Sequence, residues 1–318
     1  MTRRFQSRLA SDLERFLVYK RTLGCAYRRA EFTLRSFDRY VATHGSKRGS
    51  LHLEDLLRDW LSGNERRKPN TVASYLAPLR AFCLYLKRTD PQAFVPSPNW
   101  APLRSQAPFI PHPLSLAEVR DLLAAAASLK GPALRARTCR LYVLLLYCTG
   151  LRPGEAVRLM LPDVDMRQKV FLIRDSKGKT RLVPFRSDLA AEIRSYLRHR
   201  PNTPRVDTTL LVDLSGRAYS TARASNTVRY LLRRIGLKPA RGRVGPRATD
   251  LRHTFAVHRL TRWQRAGADV QTRLPLLSAY MGHDNLLGTE TYLHATAELL
   301  GTACHRFHAR FHGARRSP

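Results

Sequence analysis

TGLRPGE, residues 149–155, and MGHDNLLGTETYLH, residues 281–294, carry the two ends of one chemical pattern. Gly150 stops one helix and Pro153 suits the first turn of the next, which puts Arg152 at a helix start. Such a start favours an anion through its unbonded amides, and a guanidinium adds a planar fork that grips two phosphate oxygens. Glu155, three residues on, shares that helix face and is placed to orient a neighbouring basic side chain. In the second stretch Tyr292 follows His283 by nine residues. A phenol ionises only at about 10, so a tyrosine attacks near neutral pH only where cations and a proton acceptor surround it. These residue types point to a phenolic nucleophile aimed at a phosphodiester held by arginines.

The rest of the chain predicts a mainly α fold with a small β-sheet (α+β), in two parts. Four helical patterns run from Ser7 to Arg88, with apolar anchors such as Leu9, Leu13, Phe16 and Leu17, and later Leu53, Leu56, Leu57 and Trp60. Residues 89–113 hold seven prolines and no periodic pattern, which reads as an extended linker. The domain expectation is a helical unit over 1–90, a proline-rich linker over 91–112, and a second unit over 113–318 opened by a capping box of Ser115 and Glu118. That unit begins with helices, passes through short strands at Val170 to Ile173 and Arg181 to Phe185, and returns to helices from Ser187. The two strands flank the turn Ser176, Lys177, Gly178, Lys179. One later helix opens with TDLRHTFA, residues 249–256. Thr249 and Arg252 share a face of it, Leu251 and Phe255 turn to the core, and His253 reads as a structural histidine.

Charge narrows the partner. Lys and Arg number 56 against 24 Asp and Glu, a net +32 spread along the whole chain, and such a field seeks a polyanion. A hydrophobic content of 43% argues against a ribosomal or histone-like low-complexity protein and for a globular nucleic-acid enzyme or binder. Cys25, Cys83, Cys139, Cys148 and Cys304 are scattered, odd in number and without a CxxC pair, so they read as buried thiols of a reducing cytoplasm. No apolar segment follows the early arginines, and the longest apolar run, Leu141 to Cys148, is too short to cross a bilayer. The expectation is a soluble, cytoplasmic, nucleoid-associated protein with no membrane partner.

Five motifs in order, TGLRPGE, DSKGKTRLVP, DLRHTFA, LSAYMGH and Tyr292, resemble the tyrosine recombinase (phage integrase) family over most of residues 113–300. The helical unit is similar to that family's SAM-like core-binding domain, and GADVQTRLPLLSAYMGH is most similar to recombinases carried by transposons and other mobile elements. The resemblance implies a site-specific recombinase that cleaves and rejoins DNA strands through a covalent 3′-phosphotyrosine, with no metal, ATP or other cofactor. It implies that Arg152 and Arg252 clamp the scissile phosphate, that Lys177 protonates the leaving 5′ oxygen, that His283 supports the phosphate and that Tyr292 is the nucleophile. Lys179 competes with Lys177, because the turn is one residue shorter than in many relatives. Double-stranded DNA is the implied partner, with two domains closing round the duplex in a tetrameric synapse, alone or with sister recombinases.

Thr249 departs from the family, which most often has histidine there. A hydroxyl can donate to a phosphate oxygen but cannot shuttle a proton as imidazole does, and threonine equally makes a good helix N-cap. Losing one acid/base partner costs about 10² to 10⁴ in rate, well short of a whole enzyme's enhancement. A second reading therefore stays open, a catalytically weak DNA-binding accessory protein; a third is a type IB topoisomerase-like nicking enzyme. Asp163 and Asp165 read as solvated turn residues rather than metal ligands, and the chain has no GxxxxGK[ST] phosphate loop. His305, His308 and His312 share a helical face near Cys304, a zinc pattern weaker than its alternative, a basic amphipathic tail that docks on a neighbouring subunit through Phe307 and Phe311.

Overall fold

The computed structural model describes residues 5–44, 52–64, 69–100, 112–176, 179–202, 207–242, 244–283 and residue 289, the Asp175 side chain excepted. The chain divides into two compact units, Met1–Pro108 and Phe109–Pro318.

In the first unit the helical spacing of apolar residues becomes α1 (Ala10–Thr22), α2 (Arg28–His44), α3 (Leu53–Ser62) and α4 (Pro69–Leu86). Leu13, Phe16 and Leu17 from α1, Leu34, Phe37 and Val41 from α2, and Leu56, Leu57 and Trp60 from α3 close into one buried core. Asp38 is buried within it and accepts from the backbone N–H groups of Gln6 (2.8 Å) and Ser7 (3.0 Å), which pins the start of the chain to α2. The proline-rich stretch begins differently from its expected extended form. Phe94, Val95 and Trp100 pack against the helical core, the Arg58 guanidinium lies 4.4 Å from the Trp100 ring centroid, and Arg80 donates to the Pro96 carbonyl. Proline limits this stretch to one 3-10 turn, Pro98–Trp100, but it leaves the aromatic side chains able to bury their rings.

In the second unit the capping box forms: Glu118 N–H donates to Ser115 Oγ (3.2 Å), Ser115 N–H donates to Glu118 Oε2 (2.7 Å), and α5 (Leu116–Ala127) follows. The central helix is α6 (Ala133–Thr149), whose Leu141, Tyr142, Val143, Leu145 and Leu146 are all buried because other elements cover it on several sides. After it come α7 (Pro153–Arg158), β1 (Val164–Asp165), β2 (Val170–Ser176), β3 (Lys179–Pro184), α8 (Ser187–Leu197), α9 (Thr221–Arg234), α10 (Ala248–Arg265) and α11 (Val270–Met281). The sheet is antiparallel in the order β1-β2-β3. Ile173 pairs with Arg181 but Ser176 with Lys179, so β2 carries one extra residue there. This bulge shifts the side-chain alternation, and Ser176 points inward on the same side as Phe171 and Ile173.

Four expectations change. The sheet has a third strand, β1, too short to show a pattern. Asp163 is buried and pairs with Arg174 Nε at 2.8 Å instead of being solvated, whereas Asp165 is exposed and accepts turn N–H groups from Arg167 and Gln168. Cys25 is exposed, unlike Cys83 and Cys139, whose thiols burial pushes up to about 12, and Cys148, pushed up to about 11. Thr249 is not an N-cap, because α10 starts at Ala248 and Arg247 holds that position. Cys304, His305, Phe307, His308, Phe311 and His312 lie outside the described residues. Among the described residues no helix is long and apolar enough to cross a membrane, and no group of three or more His, Cys, Asp and Glu could hold a metal ion.

Candidate active site

Gly150 ends α6 with φ +62°, and a Cβ there would lie 2.5 Å from the Phe255 ring, so only glycine lets α10 approach this closely. The approach has a chemical result. Arg252, buried on the first turns of α10, donates from Nη1 to the Gly150 carbonyl and from Nη2 to the Met281 carbonyl at 2.8 Å. Thr254 ties the same helix to the start of the unit, accepting from Leu114 N–H (2.9 Å) and donating to the Asp250 carbonyl (2.7 Å).

Arg152 is the N-cap of α7, where Pro153 takes N1. Its backbone N–H donates to Glu155 Oε2 (2.9 Å), so one amide of this start already faces a carboxylate. Its Nη1 donates to Glu155 Oε1 (2.8 Å) and Ser176 Oγ (3.2 Å), and its Nη2 to the Gly282 carbonyl (2.5 Å). A guanidinium has five N–H donors, and these three contacts leave Arg152, at 23% side-chain exposure, able to serve a further acceptor.

Glu155 is the hub. Its side chain is 1% exposed and receives Arg181 Nη1 on Oε1 (3.0 Å), Arg181 Nη2 on Oε2 (2.8 Å) and the Ser176 hydroxyl on Oε1. Burial alone would push this carboxyl up, but the hydrogen bonds from Arg181, Ser176 and the Arg152 N–H, with the charge of Arg181, outweigh it and hold the group at about 2. Arg181 also donates from Nε to the Tyr280 carbonyl (3.0 Å). Three consecutive carbonyls at the end of α11, those of Tyr280, Met281 and Gly282, therefore accept from three arginines on three different elements. Lysine, arginine or histidine at a helix C-terminus also suits the negative end of its dipole.

His283 follows Gly282, which takes φ +68° and lies where a Cβ would sit 2.9 Å from Arg181 Nη1. The His283 N–H bonds the Ser278 carbonyl (3.0 Å), and Nδ1 lies 2.6 Å from the hydroxyl of buried Thr289. Thr249 is half-buried in the first turn of α10, three residues before Arg252. Burial, aided by Arg252 and Arg247 and opposed by Asp250, holds His253 below the usual imidazole range. Lys179 is exposed at the start of β3, while Lys177 and Tyr292 lie outside the described residues.

The structure thus gathers Arg152, Glu155, Arg252 and His283 about one helix end. Sequence reasoning did not single out Arg181 or Ser176. Strand alternation carried a signal for Arg181, since it shares a face with buried Val183 while Leu182 is 63% exposed. Ser176 was hidden by the bulge.

Residues 113–298 match the model of the phage integrase family. A Sinorhizobium fredii protein that bears an integrase/recombinase name, y4rB, is 32% identical over 311 residues, 94% of this chain and 96% of that protein. The tyrosine recombinase XerA of Thermococcus kodakarensis is 34% identical over 276 residues, 85% of this chain and 87% of that one. In fold, the chain is similar to the Tn1549 transposon integrase solved with transposon right end DNA, with a TM-score of 0.64 at 16% identity over 93% of this chain and 98% of that one. A family match over more than half the sequence and relatives aligned nearly end to end place this chain in the phage integrase family, the tyrosine recombinases.

Proposed function

We propose that this tyrosine recombinase breaks and rejoins DNA at a specific site through a covalent 3′-phosphotyrosine on Tyr292. The observation that carries the reading is the meeting of Arg152 and Arg252, 100 positions apart, on the neighbouring carbonyls of Gly282 and Met281, directly before His283. Attack on a phosphodiester builds negative charge on the nonbridging oxygens, and fixed guanidiniums stabilise it where it forms. Tyr292 gives its proton to water and bonds to phosphorus as the bond from phosphorus to the 5′ oxygen breaks, Lys177 protonates that departing oxygen, and a second 5′ hydroxyl reverses the step on another strand. The phosphotyrosine conserves the energy of the broken bond, so rejoining needs no ATP. Glu155 holds Arg152 in place, Thr289 fixes the His283 ring through Nδ1, and the Thr249 hydroxyl donates to a phosphate oxygen.

The helical first unit acts in this proposal as the core-binding domain and residues 113–318 as the catalytic domain. Four copies assemble on double-stranded DNA in the cytoplasm, at the ends of a mobile element. The similarity to the Tn1549 transposon integrase fold and the net charge of +32 support that setting. The test is a nicked suicide duplex taken from the DNA flanking the gene. The native chain is expected to form a covalent complex that resists denaturing gels, and Tyr292→Phe none; no complex with the native chain on its own site would overturn the reading.

A further inference from the structure

The loop between α9 and α10 is built in an unusual way. Lys238 is 4% exposed, and its Nζ turns inward to donate to the carbonyls of Val244 (2.5 Å), Gly245 (3.2 Å) and Pro246 (3.4 Å). Arg233 grips the other limb, donating from Nε to the Pro239 carbonyl (3.1 Å) and from Nη2 to the Gly242 carbonyl (3.2 Å). Gly245, at φ +88°, packs so closely that a Cβ would lie 3.0 Å from the Leu237 carbonyl. Two cations thus brace the loop, Lys238 from inside and half-buried Arg233 from the surface, and fix its shape before any partner arrives, which lowers the ordering cost of binding.

The outer surface is as specific as the brace. Arg241 and Arg247 are exposed, and Val244 is 77% exposed between them. Burial first, and then Arg229, Arg233 and Arg247, lower the pKa of Lys238, and Asp250 opposes them. Concentrating cations round a buried ammonium disfavours the folded state, and a polyanion laid on the outside offsets that cost. Arg247 is also the N-cap of α10, five residues before Arg252. At about 1.5 Å per residue that is roughly 7.5 Å along the axis, near two base-pair steps of about 3.4 Å each.

We propose that the exposed face of this loop, Arg241, Val244 and Arg247, lies in the minor groove beside the cleaved phosphate and favours A·T pairs there, an inference that rests on the recombinase reading. The groove is about 6 Å wide, too narrow for a helix but open to a thin glycine-containing loop. A·T-rich tracts narrow it further, and their deeper negative potential draws arginine in. Val244 then serves as a small apolar wedge against the base edges.

Fluorescence anisotropy with three short duplexes of equal length, built from A·T, G·C and inosine·C pairs, tests this. Inosine differs from guanine only by lacking the minor-groove amino group. Native chain is expected to bind the A·T and inosine·C duplexes about tenfold more tightly than G·C, and Arg241→Ala to bind all three within about twofold. Equal native affinity for the three duplexes, or a preference that survives Arg241→Ala, overturns the proposal. Arg241 is exposed, so the variant should keep the native melting curve. Suicide-substrate trapping with the same preparation separates the two readings: trapping without groove preference sinks the loop proposal alone, and preference without trapping keeps the groove contact but sinks the recombinase reading.

Discussion

Replacing Glu155 by glutamine keeps the shape of the side chain and removes its charge, which makes it a close mimic of the protonated acid. The folded protein holds this carboxyl at about 2 against an ordinary 4.5. At 1.36 kcal/mol per pH unit, that gap corresponds to roughly 3 kcal/mol of stability. The side chain is 1% exposed, so solvent screening takes little away. Because the folded-state pKa is the lower one, the contribution is complete above 4.5 and is lost as pH falls from 4.5 toward about 2. Glu155→Gln should therefore be less stable than the native chain by about 3 kcal/mol at pH 7 and by about 1.4 kcal/mol at pH 3, converging near pH 2. Urea melts followed by far-ultraviolet circular dichroism, without DNA, measure the difference. A loss under about 0.5 kcal/mol at pH 7, or an equal loss at pH 7 and pH 3, would refute the assignment of Glu155 as an ionised hub.

Thr249→His should raise single-turnover cleavage by about 10² or more, since the position faces the Arg252 side of α10 and an imidazole there adds a proton shuttle; an unchanged rate would show a site already adapted to threonine. Arg181→Lys keeps a charge but loses the two-pronged grip on Glu155 and the Tyr280 carbonyl, so cleavage should fall about tenfold while DNA affinity stays within about twofold; a matching drop in both would assign Arg181 to binding instead. Gly282→Ala combines a left-handed backbone with a Cβ 2.9 Å from Arg181 Nη1, and should cost about 1–3 kcal/mol in urea melts together with trapped complex; a variant as stable as native would mean that the α11 end rearranges easily.

Much of the fold was legible in residue spacing. Leu13, Phe16 and Leu17 mark a buried helix face, Ser115 and Glu118 an entry, and Gly150 an exit, because each of these signals depends on neighbours within one or two turns. What depends on distant partners was not legible. Glu155 and Arg181 are 26 residues apart, and nothing local distinguishes an arginine that will be buried against a carboxylate from one left in water. The bulge that turns Ser176 inward is a property of two strands together, and Trp100 packs on Arg58 across more than 40 positions. At the site, Arg152 and Arg252 meet on the carbonyls just before His283, whereas Thr249 could be weighed as a cap only because α10's first residue was unknown.

The arginine grip on the last carbonyls of α11 changes how substitutions at the clamp must be interpreted. In the proposed mechanism Arg152 and Arg252 each serve twice, once as a cation for phosphate and once as a staple on the backbone that presents His283. An alanine at either position removes both services, so lost turnover in such a variant blends missing charge with a helix end that has slackened. Only a readout of helix anchorage, such as amide exchange at Met281 and Gly282, tells the two apart.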